Sequence, residues 1–205
     1  MLFSKKIEPI ALDIGSTFIK LVQLKGSSKN YHLLKFGMVA LPPEVIVEGA
    51  VMDAGRVVEA IKELLASQKV KTKEVVISVS GSSVIIKRVS VADMTDEELA
   101  ESIKWEAEQY IPFSIDDVNV DFQKLGAGAA AGQADVLLVA VKKDKINDYV
   151  NLVKEAGLEP VVMDVDAFAS EPGSPCCPAG VNRPPIPGSR SRRWRCARHR
   201  EWQPA

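Results

Sequence analysis

The chain has 205 residues, of which 46% are hydrophobic and 26% are charged. This length allows one or two domains with a sizeable core, and this composition excludes a wholly disordered chain, a collagen and a coiled coil. The formal net charge of −1 gives no reason to expect nucleic acid as the main partner.

The first part of the chain predicts a mixed α/β sheet. Short apolar runs separated by turn residues predict the three strands of a meander, over 10–14, 18–24 and 31–40. A helix over 53–68 follows, with apolar residues on one face and Asp53 at its N-cap position. A β-branched strand over 74–80 then completes the unit.

The middle of the chain predicts a second group of elements. A strand over 84–91 precedes a helix over 95–110, in which Thr95 and Glu98 have the spacing of a capping box. We interpret at least two of the three aromatic residues near the end of this helix as core, the three being Trp105, Tyr110 and Phe113. Alternating strands over 118–124 and 134–141 form a hairpin with the glycine- and alanine-rich loop 126–132 at its tip.

A helix over 143–156 and a strand over 161–165 follow the hairpin. Asp166 then has the position and chemistry of an N-cap for a helix that begins at 167–169. We expect this helix to break within one turn, because Pro172 and Gly173 come so soon after it.

The last 36 residues are a different kind of sequence. Residues 170–205 contain seven arginines and no lysine, whereas residues 1–169 contain two arginines and no cysteine. Few apolar residues lie among the prolines and arginines, so we predict that this tail is disordered. The three cysteines (Cys176, Cys177 and Cys196) lack the spacing of a zinc site. A nucleic-acid or anionic-lipid patch at Arg190–Arg195 is the weaker interpretation.

No membrane span or export signal is predicted. A spanning helix needs about 20 consecutive apolar residues, and the apolar runs in this sequence are shorter and broken. The basic N-terminus lacks a clean apolar signal core because Glu8, Pro9 and Asp13 interrupt it. The sequence therefore predicts a cytoplasmic protein that reaches a membrane only through a partner.

Asp13 to Lys20 is the most informative segment for chemistry. A strand delivers an acid to its end, a Gly-Ser-Thr turn (Gly15, Ser16 and Thr17) exposes backbone amides, and the next strand presents a lysine. A nucleotide phosphate with bound Mg²⁺ prefers amide and hydroxyl donors, a cation and a carboxylate. An ordinary β-turn is an equally good interpretation of this segment taken alone, and the sequence contains no P-loop.

In combination with three later stretches, this segment resembles the FtsA/PilM branch of the actin-like ATPase superfamily. The matching stretches are 11–16 with 20–22, 106–113, 139–143 and 162–169. The resemblance spans 7–169. It implies an α/β fold: the actin-like (ribonuclease H-like) first half, with a small inserted α+β subdomain of the SHS2 type.

The resemblance implies a role for each matching residue. Asp13 would hold Mg²⁺ through water, Gly15, Ser16 and Thr17 would line the phosphate turn of ATP, and Lys20 would contact a phosphate. Asp166 lies where related proteins place an acid near the nucleotide, although we favour the simple helix cap at that position. No catalytic residue is assigned.

The resemblance also implies a domain organisation and a partner. Residues 1–83 would form the actin-like subdomain, 84–160 the inserted subdomain, 161–169 the return strand and the start of a connecting helix, and 170–205 the tail. The N-terminal peptide of PilN, an inner-membrane protein, would dock in a groove between the two subdomains, with the helix from Glu98 to Tyr110 as a candidate wall.

The sequence departs from the family after Ala169. The second Asp-x-Gly turn and the adenosine-binding Gly-Gly of a complete actin-like protein do not follow, so we infer a frameshift or truncation. The family has at most a weak ATPase activity, and we expect this chain to bind ATP weakly or not at all and to be inactive. An FtsA-like division protein and a sugar or acetate kinase are the alternative functions.

Overall fold

The computed structural model of the chain describes residues 8–27 and 30–169. The predictions for the tail at 170–205 therefore lie outside the described residues. In chain order the strands and helices are β1 (Ile10–Ile14), β2 (Phe18–Ser27), β3 (Asn30–Ala40), β4 (Ile46–Val47), β5 (Ala50–Val51), α1 (Ala54–Ser67), β6 (Glu74–Val79), β7 (Val84–Ala92), α2 (Asp96–Glu108), β8 (Val118–Ala127), β9 (Gln133–Lys142), α3 (Lys143–Glu155), β10 (Glu159–Val165) and α4 (Asp166–Ala169).

These elements form two compact units. Unit 1 contains the described residues up to Ser80 and from Asp148 onward, and unit 2 runs from Gly81 to Asn147. The division falls inside α3, whereas the sequence analysis placed the whole helix in the inserted subdomain and drew the boundary at residue 160. In the described part of the chain, no helix has both the length and the apolar composition needed to span a bilayer.

Unit 1 is built on a five-stranded sheet with the order β10-β6-β1-β2-β3. β1 runs parallel to β6 and antiparallel to β2, and β6 runs parallel to β10. The meander followed by two parallel crossovers confirms the predicted actin-like α/β fold. The β4–β5 pair was not predicted, because two-residue strands carry no measurable periodicity.

Helix α1 covers one face of this sheet. Asp53 caps the helix as predicted, since its Oδ1 accepts a hydrogen bond from the amide of Arg56 at 3.0 Å. The apolar side of α1 is buried together with alternate residues of the central strands: Val57, Ile61, Leu64, Ile10, Leu12, Leu21, Val75 and Ile77. β3 reaches α1 at Gly37, where an added Cβ would lie 2.8 Å from the Leu64 Cδ1.

Unit 2 is a three-stranded sheet with α2 on one face. Its order is β7-β9-β8, all antiparallel. The capping box is confirmed, because the Glu98 amide donates to Thr95 Oγ1 and the Glu98 carboxylate accepts from the Thr95 amide. Tyr110 and Phe113 pack against the core of this unit, whereas Trp105 is 73% exposed.

A buried carboxylate marks the central strand of unit 2. Asp135 on β9 accepts hydrogen bonds from the Arg88 guanidinium and, at 2.7 Å, from the Ser90 hydroxyl, both on β7. These donors keep the pKa of the Asp135 carboxyl below its ordinary value, with the Arg88 contribution the larger. The charge is therefore compensated by neighbours on the same strand pair.

Candidate functional site

The candidate phosphate turn joins β1 to β2 at one end of the unit 1 sheet. Five of the six predicted site residues lie in or beside it: Gly15, Ser16 and Thr17 in the turn, Asp13 on β1 and Lys20 on β2. The turn is closed by a hydrogen bond of 3.1 Å from the Gly15 amide to the Phe18 carbonyl. It is anchored to the chain beyond β3 because the Thr17 carbonyl accepts from the Leu41 amide at 2.8 Å.

The acid and the lysine of this segment form an ion pair. Asp13 and Lys20 are direct partners in the β1–β2 register, and the Lys20 Nζ lies 2.9 Å from the Asp13 Oδ2. Both side chains are about half exposed. Since each charge neutralises the other, the pair by itself attracts neither an anion nor a cation strongly.

The donors that remain for a phosphate are those of the turn itself. The Gly15 amide is used within the turn, whereas the amides of Ser16 and Thr17 have no bonded acceptor among the described residues. The side chains of Ser16 and Thr17 are exposed and add two hydroxyl groups. Two amides and two hydroxyls at an exposed turn can contact one phosphate group.

Asp166, the sixth predicted residue, lies apart from the turn. It begins α4 directly after β10, and β6 separates β10 from β1. Two inter-strand spacings amount to roughly 10 Å.

Asp164 follows Met163, which shares a sheet row with Leu12, so Asp164 lies on the same outer face as Asp13. The sequence analysis did not name Asp164. The alternation of side chains along the predicted strand 161–165 could have placed it on this face of the sheet.

Tyr149 of α3 is a buried residue that the sequence analysis did not single out and whose pKa is influenced by Asp13. Its ring is buried, and its hydroxyl donates to the Gly49 carbonyl at 3.3 Å. Burial raises the pKa of the Tyr149 phenol, and the negative charges of Asp13 and then Asp148 raise it further. The electrostatic influence of Asp13 thus extends to a buried side chain of α3.

The described residues offer no protein cage for a metal ion. No group of three or more His, Cys, Asp or Glu side chains among them is arranged to hold one. Mg²⁺ in nucleotide sites commonly needs only one or two carboxylates, because phosphates and water complete its shell. A single carboxylate such as that of Asp13 would suffice for this role through water once its ion pair with Lys20 opened.

Comparison with known proteins gives a family match over most of the chain. The family model described as type IV pilus assembly protein PilM matches residues 11–178. This match covers both compact units and extends past Ala169, where the sequence analysis ended the resemblance.

Two solved structures are similar in fold. A chain of a PilM–PilN type IV pilus biogenesis complex is 32% identical with a TM-score of 0.71, over 80% of this chain and 49% of that one. The cytoplasmic domain of EpsL, an inner-membrane component of the type II secretion system of Vibrio cholerae, is 16% identical with a TM-score of 0.55, over 87% of this chain and 61% of that one. The present chain thus spans about half the length of the first relative.

Proposed function

This chain belongs to the PilM family of type IV pilus assembly proteins, and from that premise we propose that it is a scaffold that docks the N-terminal peptide of PilN. The match to a relative in a PilN complex carries this proposal, since it covers 80% of the present chain at 32% identity. The chain would lie in the cytoplasm and reach the inner membrane through PilN. Docking of a peptide requires no turnover, in keeping with a chain to which we assign no catalytic residue.

Capture by an immobilised PilN N-terminal peptide tests the docking. We expect the full chain to bind the native peptide and not a scrambled peptide of the same composition. Lys20→Ala is a matched control, because it alters the candidate phosphate turn and should leave capture unchanged. Equal retention on both peptides, or none on either, would overturn the proposal. The alternative functions, an FtsA-like division protein or a sugar kinase, predict that the peptide does not capture the chain.

The β1–β2 turn is the proposed place for a nucleotide phosphate. The amides and hydroxyls of Ser16 and Thr17 would contact the phosphate, Gly15 would allow its approach, and Lys20 would supply the cation. Asp13 would hold Mg²⁺ through water, and the metal would neutralise phosphate charge. Asp166 could reach the site only from the far side of β6.

We expect ATP to bind weakly to this chain. The Asp13–Lys20 ion pair must be broken or shared before its lysine can serve a phosphate, and the turn is exposed to water, which weakens each contact. Calorimetry with ATP and Mg²⁺ should detect no micromolar binding, and phosphate release should stay at the buffer rate. Micromolar binding that is lost in Lys20→Ala would contradict this expectation while supporting the location of the site.

A further inference from the structure

The β2–β3 hairpin of unit 1 has an unusual charge distribution. No acidic residue occurs from residue 14 to residue 43, although the chain contains 27 acidic residues in total. The same stretch contains four lysines and His32. Lys20 is paired with Asp13 at the opposite end of the sheet, so the positive charge of the hairpin comes from the other three lysines.

The hairpin also exposes consecutive apolar side chains. The register of β2 and β3 shifts after Gln23, so that Lys35 opposes Gln23, Leu33 opposes Leu24, and Leu34 has no cross-strand partner. This bulge interrupts the usual alternation. Leu33 is 63% exposed and Leu34 is 48% exposed, and Tyr31 is exposed beside them.

A second cationic segment lies at the same end of the sheet. The loop 68–73 between α1 and β6 contains three exposed lysines, Lys69, Lys71 and Lys73, and no acidic residue. A hydrogen bond of 2.5 Å from the Lys35 Nζ to the Gln68 carbonyl ties β3 to the start of this loop. The candidate phosphate turn is at the opposite end, because it follows the other end of β1.

We propose that this end of unit 1, namely the hairpin residues 25–27 and 30–35 with the loop 68–73, binds directly to the surface of an anionic phospholipid bilayer. Apolar side chains flanked by lysines match the boundary between acyl chains and anionic headgroups. Charge complementarity favours this occupant, because lysines on both segments outnumber the acids Glu8, Glu74 and Glu159 at this end of the sheet. The inference goes beyond PilN docking, since it gives the chain a lipid contact of its own.

Vesicle co-sedimentation of the full chain tests the proposal. We expect binding to vesicles of phosphatidylcholine mixed with phosphatidylglycerol, little binding to phosphatidylcholine alone, and a fall in binding as salt rises. The triple variant Lys69→Gln, Lys71→Gln, Lys73→Gln should lower the partition coefficient by roughly one hundredfold. Leu33→Ser with Leu34→Ser should lower it by at least about tenfold.

Two control variants separate this surface from other causes. Met52→Ser changes a residue that is 68% exposed outside the hairpin and should alter the partition coefficient by less than about twofold. Replacing Arg192, Arg193 and Arg195 with serine removes arginines from the tail and should leave the effects of the hairpin variants intact. Circular dichroism melting checks that each variant folds.

Three results would overturn the proposal. The first is equal binding to both vesicle types, or binding to neither. The second is binding that the tail variant abolishes while the leucine variant keeps it. The third is a dimer in light scattering that the leucine variant dissociates without any change in vesicle binding, which would make a second copy of the chain the occupant.

Discussion

Asp13 and Lys20 face each other across β1 and β2, and their ion pair joins the acid and the cation of the candidate phosphate turn at 2.9 Å. The pair lies at the surface, where ion pairs contribute about 0–1 kcal/mol because water screens both charges. The pair therefore contributes little to stability. It matters for ligand binding, because Lys20 is held by Asp13 until the pair opens.

A double-mutant cycle on this pair should give a coupling free energy below about 1 kcal/mol. Asp13→Asn, Lys20→Gln and the double variant are unfolded by denaturant, and the coupling is taken from the differences in unfolding free energy. Raising the salt concentration should reduce the coupling further. A coupling of several kcal/mol would show that the ion pair stabilises the fold, and it would contradict the expectation that the pair can open for a ligand.

Gly37 is a glycine whose replacement should destabilise the packing of unit 1. A Cβ at this position would lie 2.8 Å from both Leu64 Cδ1 and Gln68 Cγ, so these side chains or α1 itself would have to shift. We expect Gly37→Ala to lower the unfolding free energy by about 1–3 kcal/mol, as overpacking does.

Gly55 in the first turn of α1 supplies the matched control for that substitution. An added Cβ there meets only Asp53 Oδ1 at 3.5 Å, an ordinary contact. Gly55→Ala should therefore stabilise the chain by about 0.5–1 kcal/mol, because alanine loses less backbone entropy on folding. Equal effects of the two substitutions in denaturant unfolding would contradict the packing described at Gly37.

Local sequence signals predicted the parts of the fold that local chemistry decides. The caps at Asp53 and Thr95 were found because a short polar side chain precedes an apolar helical period at each. The helical period of α2 could also have predicted that Trp105 is exposed. Trp105 lies two positions from both Ile103 and Ala107. At about 100° per residue, that spacing places it on the opposite side of α2 from the core.

Features that depend on pairing between distant segments were not predictable in the same way. The bulge at Leu34 exists only in the register between β2 and β3, so the sequence gives no sign that two adjacent leucines are exposed. Asp135 reads as an interruption in an apolar strand until β7 brings Arg88 and Ser90 beside it. The charge of Asp13 acts on Tyr149 because the fold brings β1 and α3 together, and no local sequence pattern indicates this.

Acid should destabilise the chain through Asp135. Arg88 and then Ser90 lower the pKa of this carboxyl in the folded state, so the unfolded state binds more protons as the pH falls. The stabilisation is complete above the unfolded pKa of about 3.9 and is lost as the pH falls through the lower folded value. Denaturant unfolding at a series of acidic pH values measures this loss.

Two variants test the assignment of that acid dependence. Asp135→Asn removes the titrating group, so the acid-dependent part of the unfolding free energy should shrink relative to the native chain. Ser90→Ala removes one of the two donors and should shrink it less, because Arg88 has the larger effect. An unchanged acid dependence in Asp135→Asn would place the titration elsewhere in the chain.

Alkaline pH should act through Tyr149. Burial is the largest of the effects that raise the pKa of this phenol, and the charges of Asp13 and Asp148 raise it further. The unfolded state therefore loses the phenol proton at a lower pH, and stability should fall as the pH rises above about 10. Tyr149→Phe should abolish this fall, at the cost of about 1 kcal/mol at neutral pH for the hydrogen bond to Gly49.

The phenol titration also measures the link between Tyr149 and the candidate site. In an ultraviolet absorbance titration, Tyr149 should ionise at a higher pH than an ordinary phenol, because its pKa is raised. Asp13→Asn removes one of the two negative charges and should lower the pKa of this late phenol, whereas Asp166→Asn should leave it in place because Asp166 is not among the charges that raise it. A late phenol that ignores the loss of Asp13 would show that burial alone accounts for its pKa, and that the electrostatic influence of the turn does not extend to α3.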